Sequence, residues 1–220
     1  MRGKLIVIEG NDGSGKATQA ALLVEKLKSK GIPAKYFEIP AYNTPTGKII
    51  SDFLNGKFGN PTKIAPEVAA KHYSDNRKEI APEIKKSLEN GLWIVMDRYL
   101  YSNFAYQGAK ISEYKNRVRF YRQQEQIEFF QNKIPKPDLT IFLSVPVEIS
   151  QELMEREGRI KDRQEKEVEY LLKVNKIYEE LLGLYNMKVV ECVKGEEMRT
   201  KEEIANKVFG IVSESVDIEL

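Results

Sequence analysis

Residues 8–18 read IEGNDGSGKAT, which packs three glycines and a lysine into eleven positions. An apolar run, Leu5 to Glu9, leads into the stretch. Apolar residues at helical spacing, Ala20, Leu23, Val24 and Leu27, lead out of it. Gly10, Gly15 and Lys16 match the pattern G-x-x-x-x-G-K-[ST], whose setting is a strand that turns into a helix. Glycines let backbone N–H groups converge on phosphate, and the helix start adds partial positive charge. Lys16 adds a mobile full charge near the β- and γ-phosphates. An ordinary glycine-rich turn has the same composition, but the flanking strand and helix count against it. The expected phosphate-binding set is Gly10, Asn11, Asp12, Gly13, Ser14, Gly15, Lys16, Ala17 and Thr18. One position breaks the rule: Ala17 stands where a hydroxyl would bind magnesium. The chain either transfers phosphate without that ligand or only holds it.

Outward from this loop, four more apolar runs read as buried strands: Ala34 to Glu38, Leu92 to Asp97, Asp138 to Val145 and Met187 to Val193. Helical stripes lie between and after them, Leu171, Leu172, Ile177, Leu181 and Leu182 in one, Ile204, Val208, Ile211 and Val212 in another. Residues 99–134 are polar and aromatic and read as mostly helical. Alternating strands and helices imply an α/β fold, a five-stranded parallel sheet flanked by helices in three layers. Ligands of such sheets bind beyond the carboxyl ends of the strands. Two strands end there in acidic residues, Glu9 and Asp97, and both are expected to face the site.

The 220 residues suit one domain spanning 1–220. With 41% hydrophobic and 31% charged residues the composition is that of a soluble globular protein. A net charge of +2 argues against a nucleic-acid polymer or a membrane surface as partner. No apolar run is long enough to span a membrane, and no signal-peptide pattern opens the chain. The single Cys192 cannot form an internal disulfide, which fits the reducing cytoplasm. His72 is the only histidine, and it reads as a partly buried polar filler.

Five motifs in order give the chain a resemblance to the thymidylate kinases, P-loop nucleoside monophosphate kinases. They are GNDGSGKATQ at 10–19, YSDNR at 73–77, DRY at 97–99, SNFAYQGAK at 102–110 and PKPDLTIFLSV at 135–145. The resemblance implies the P-loop NTPase fold, ATP as phosphoryl donor with Mg2+, dTMP as acceptor, and a homodimer. It places Asp12 on the acceptor 3′-hydroxyl, Tyr73 stacked on the base, Arg77 on the base edge and Arg98 on the acceptor phosphate. Asn103 and Tyr106 would flank sugar and base. The residue types agree with the task, which needs a flat stacking surface, a bidentate edge reader and a cationic clamp. Taken alone, Tyr73 reads equally well as a core aromatic, and Arg77 as part of a solvated helix face.

The stretch EREGRIKDRQEKE, 155–167, reads as a charged surface helix or as a short arginine-rich lid over about 154–166. Residue 13 is glycine, so the resemblance points to the lid for catalytic arginines: Arg159 and Arg163, with Arg156 behind them. Gln164 stands where the family often has an aromatic. At 39–45, IPAYNTP lacks the arginine that many members use to hold the acceptor phosphate, and Tyr42 is the substitute donor. Asp97 and Asp12 are the carboxylates that would hold magnesium through water. The catalytic set is Lys16, Arg98, Arg159 and Arg163. Two alternatives stay open: a kinase for another nucleotide or deoxynucleoside, and a nucleotide-binding regulator that has lost turnover.

Overall fold

The computed structural model describes residues 2–158, 160–195 and 197–216. Five parallel strands lie in the order β2-β3-β1-β4-β5: β1 Leu5–Gly10, β2 Ala34–Glu38, β3 Trp93–Asp97, β4 Leu139–Ser144 and β5 Lys188–Glu191. The central strand explains the layering. All six residues of β1 are buried, and period-2 alternation divides them between two cores. Leu5 and Val7 pack with α3 (Pro66–Glu89), α4 (Leu100–Gly108), α5 (Tyr114–Glu125) and α7 (Val168–Leu184). Ile6 and Ile8 pack on the other face with α1 (Lys16–Ser29) and α8 (Lys201–Ser215). A strand covered on both faces reads as one apolar run, which is why it stands out in the sequence.

The helical stripes bury the residues expected of them: Ala20, Leu23, Val24 and Leu27 on α1, Leu171, Ile177 and Leu181 on α7, Ile204, Val208 and Val212 on α8. Leu172 instead faces outward. Thr200 and Glu203 form a reciprocal capping box that starts α8. The side chain of Thr44 caps α2 (Pro45–Leu54) by accepting from the Gly47 N–H at 3.1 Å.

One feature differs from the sequence reading. The fifth strand stops at Glu191, and residues 193–198 form a hairpin, β6 (Val193–Lys194) with β7 (Glu197–Met198). Helix α3 continues through Pro82. After α5 the backbone widens into a π-turn, Gln126–Gln131, which carries Glu128 into the core. Helix α6 (Val147–Arg156) ends just inside the expected lid, and residues 163–166 form turns. Among the described residues no helix is long and apolar enough to cross a membrane.

Candidate active site

Beyond the carboxyl ends of β1 and β3 lies a cleft of about 580 Å³. Its donor-loop wall runs from Asp12 to Gln19. Gly13 and Gly15 sit at φ of 76° and 82°, where a side chain would be strained. A Cβ on Gly13 would also stand 2.5 Å from the Ser150 carbonyl of α6, so no arginine fits there. Lys16 is buried and donates to the Asn11 carbonyl at 2.6 Å. Burial, with Arg98 nearby, lowers its ammonium to about 8. Gly10 and Asn11 support the loop from behind. The Asn11 amide donates to Asn175 Oδ1 at 2.7 Å, tying the loop to α7. Ala17 and Thr18 both line the cleft.

Arg98 leaves β3 at φ 64°, a left-handed conformation that costs a non-glycine residue about 1–2 kcal/mol. The turn swings its guanidinium across the cleft, where it donates to Ser102 Oγ at 2.9 Å, to the Gly10 carbonyl at 3.2 Å and to Asp12. The hydroxyl of Tyr106 donates to the other oxygen of Asp12. Asp12 is thus held between a cation and a phenol, which favours positioning over metal binding. Asp97 lines the cleft with Oδ1 buried and unpartnered among the described residues. Glu9 corrects the expectation made for it. Its buried carboxylate turns away from the cleft and accepts from the N–H groups of Tyr99 and Ser102, at 3.0 and 3.1 Å, at the start of α4.

At the opposite end, α3 presents Tyr73 and Arg77 one turn apart. The Tyr73 ring is braced edge-on by Phe53, 6.3 Å away at 85°. Arg77 is 1% exposed, not solvated; its Nε donates to Glu128 Oε1 at 3.1 Å, and Nη2 donates to the same oxygen. Sequence reasoning missed Glu128, and it missed Gln107. Gln107 lies one turn after Asn103 on α4, both are buried in the cleft wall, and all four amide atoms lack partners among the described residues. The i,i+4 spacing within SNFAYQ is the signal that could have found it. Asn76 pins the acceptor loop by accepting from Ala41 N–H at 2.8 Å and donating to Thr44 and Thr46 hydroxyls at 3.0 Å. Tyr42 lines the cleft, and burial with Asp162 nearby pushes its hydroxyl up to about 12, so it remains a donor.

Of the lid residues, Glu157, Asp162, Gln164 and Glu165 line the cleft. Arg159 lies outside the described residues. Arg163 is described, and its guanidinium rests on Gly56 after α2, within 2.5 Å of where a Cβ would stand. It does not line the cleft. Arg156 pairs on the surface with Glu152 at 3.4 Å. Asn60 and Thr62 donate to Glu167 at 2.9 Å each, tying the far end of the lid to the α2–α3 connection.

For magnesium, the free Asp97 oxygen suits a cation held through water. Among the described residues no group of three or more His, Cys, Asp or Glu side chains could hold a metal. The ion would therefore depend on nucleotide phosphates for most of its ligands, as Mg2+ commonly does.

A sequence-family model described as "Thymidylate kinase" matches residues 8–204. The thymidylate kinase of Schizosaccharomyces pombe is 30% identical over 212 residues, 96% of this chain and 92% of its own. That of Dictyostelium discoideum is 32% identical over 96% of this chain and 85% of its own. Among solved structures, the thymidylate kinase of Candida albicans superimposes with a TM-score of 0.74 at 28% identity, covering 97% of this chain and 92% of that one. With its loop, clamp and paired α3 side chains arranged around one cleft, the chain belongs to the thymidylate kinase family.

Proposed function

We propose that the protein is an ATP-dependent nucleoside monophosphate kinase that moves the γ-phosphoryl group of ATP to dTMP, giving dTDP and ADP. One observation carries the acceptor assignment. Tyr73, the buried Arg77 and the unpartnered amides of Asn103 and Gln107 line one end of the cleft, beside the phosphate loop. A flat ring with carbonyl and imide groups on its edge is what those side chains recognise.

An oxygen of the acceptor phosphate attacks the γ-phosphorus, and the bond to the β–γ bridging oxygen breaks. The attacking group is already ionised, so no general base is needed. Lys16 and the loop N–H groups hold the donor and stabilise the charge that develops on the leaving diphosphate. Arg98 turns the acceptor phosphate toward the donor, held in place by Asp12 and Ser102. Asp12 and Tyr106 sit beneath the sugar, and Tyr42 donates to the phosphate. Arg159 and Arg163 of the lid complete the catalytic set on closure. Asp97 is the residue that would hold magnesium through water, and the ion would supply positive charge to offset that of the donor phosphates. A water would take the place of the hydroxyl that Ala17 lacks, so the reading is of a working kinase. A homodimer and the cytoplasm complete it. Buried Cys192, its thiol pushed up to about 12 by burial, needs no oxidising compartment.

The test is ADP release measured with dTMP, dUMP, UMP, the other deoxynucleotides and thymidine. Uracil lacks one methyl, worth about 1–3 kcal/mol in an apolar pocket, so dUMP should be used about 10–200-fold less efficiently than dTMP. UMP should trail dUMP because Tyr106 crowds the 2′ position. A better substrate than dTMP would reassign the acceptor, and no turnover with any would favour the regulatory reading.

A further inference from the structure

Gln19 is 2% exposed and belongs to neither the phosphate contacts nor the acceptor pocket. It lies on the first turn of α1, where its backbone N–H donates to the Gly15 carbonyl at 2.9 Å. Its side-chain Nε2 donates to the Lys201 carbonyl at 3.1 Å, at the start of α8. That bond settles the amide orientation, because only the nitrogen can donate to a carbonyl. The oxygen must then point away from Lys201. It is buried, lacks a partner among the described residues, and belongs to a residue that lines the cleft.

Its surroundings indicate what it would meet. Met198 and Ile204 supply apolar surface near it, and Arg199 supplies a planar cation fixed by its Nε bond to the Glu191 carbonyl at 3.1 Å. These residues belong to α8 and the hairpin, on the face of the sheet that α1 covers. The acceptor residues belong to α3 and α4, on the other face. With phosphates on the loop between them, the α1–α8 side is where a donor base would lie. An apolar stretch of cleft wall with one buried acceptor fits a purine that offers an N–H at its six-membered ring edge.

We propose that Gln19 reads the donor base, its Oε1 accepting from the exocyclic amino group of adenine. The proposal rests on the phosphoryl-transfer reading for its substrate, and it adds the residue that sets donor choice. A base with a carbonyl at that position opposes two acceptors and is rejected. A base with only hydrogen there leaves Oε1 unpaired and ranks between.

The experiment compares ATP, purine riboside triphosphate and ITP, by kcat/KM with dTMP and by calorimetric binding to the protein alone. The parent should rank them in that order, with ATP over ITP by roughly 10- to 100-fold, the range for leaving a buried acceptor unpaired. In Gln19→Met the three should fall within about threefold of one another. The change should appear in the donor KM and not in the KM for dTMP. Gln19→Glu, which keeps an acceptor oxygen but loses the bond to the Lys201 carbonyl, should still favour ATP over ITP, with weaker binding of all three. Equal use of ATP and ITP by the parent would overturn the proposal, even were Gln19→Met unable to fold. Full discrimination in Gln19→Met would make Gln19 a strut between α1 and α8, which also overturns it. If dTMP is not phosphorylated but the binding ranking holds and collapses in Gln19→Met, the acceptor assignment fails and this inference stands.

Discussion

At the donor end of the cleft, consecutive residues from Asp12 to Gln19 form the wall, and in the proposed reading the loop N–H groups hold the phosphates, joined by the Lys16 and Gln19 side chains. At the acceptor end, Tyr42, Tyr73, Arg77, Asn103 and Tyr106 come from three separate segments, and in the proposed reading their side chains hold the acceptor. The first plan tolerates changes of side chain, because an N–H survives most substitutions. The second depends on partners such as Glu128, Asn76 and Asp12 that hold each group in place. Ala17 in the loop and Glu128 behind Arg77 therefore differ in consequence: one lost hydroxyl can be replaced by water, whereas one lost carboxylate strands a buried cation.

The lid is where this contrast is most exposed to failure. Arg159→Ala should lower turnover by about 10³-fold, since arginines that stabilise a transferring phosphoryl group are worth 10³–10⁵. Arg163 offers the internal comparison, because it rests on Gly56 in this conformation. If it joins the reaction on closure, Arg163→Ala should cost at least about 100-fold in kcat. A loss under tenfold would leave it as a brace between lid and α2. Single-turnover rates at saturating nucleotides distinguish these outcomes.

Next in size is the buried pair. Glu128→Ala leaves the Arg77 guanidinium uncompensated, which costs about 3–5 kcal/mol of stability. Thermal or urea unfolding would show it. Among molecules that remain folded, KM for dTMP should rise by about 100-fold while KM for ATP stays constant. Equal losses for both substrates would mean that the two ends of the cleft are not independent.

A smaller effect comes from pH. Burial holds Lys16 near 8 instead of 10.5, and the donor phosphates need its charged form. Above about pH 8, kcat/KM for ATP should fall by up to about tenfold per unit, while kcat stays flat because bound phosphate restores the proton. The same shift has a stability sign. The unfolded chain holds the extra proton between 8 and 10.5, so stability from this group rises with pH across that window. A parallel fall in kcat would show Lys16 titrating within the complex.

The donor end was legible in the sequence because its information is contiguous: a strand, three glycines, a lysine and a helical stripe. The three inner strands were legible for a related reason, since strands covered on both faces are mostly apolar, whereas the edge strands carry exposed Lys35 and Lys188. The acceptor end needed long-range pairing. Nothing local marks Glu128, which is 51 residues from Arg77 and turned inward by a π-turn. The hairpin at 193–198 was missed because two-residue strands have no measurable period. Glu9 was misjudged although alternation held the answer. It shares a strand face with Leu5 and Val7, so it turns toward α4.

The smallest effect tests the loop itself. Ala17 is exposed on the first turn of α1 and lines the cleft, so a serine hydroxyl fits without displacing packed atoms. Ala17→Ser would replace one water ligand of the metal by a protein oxygen. The gain is limited to the ordering of that water, about 0–2 kcal/mol. The magnesium midpoint should therefore tighten modestly, and turnover should change by less than about tenfold, equal to 1.4 kcal/mol. Asp97→Asn provides the reference, since it removes the carboxylate charge beside an oxygen that is buried and unpartnered among the described residues, and should shift the midpoint the other way. Turnover across a magnesium titration at saturating ATP and dTMP measures both. Were Ala17→Ser to rescue an otherwise inert protein, backbone groups alone would not suffice at the donor end. The chain would then be one that holds its nucleotide without turning it over.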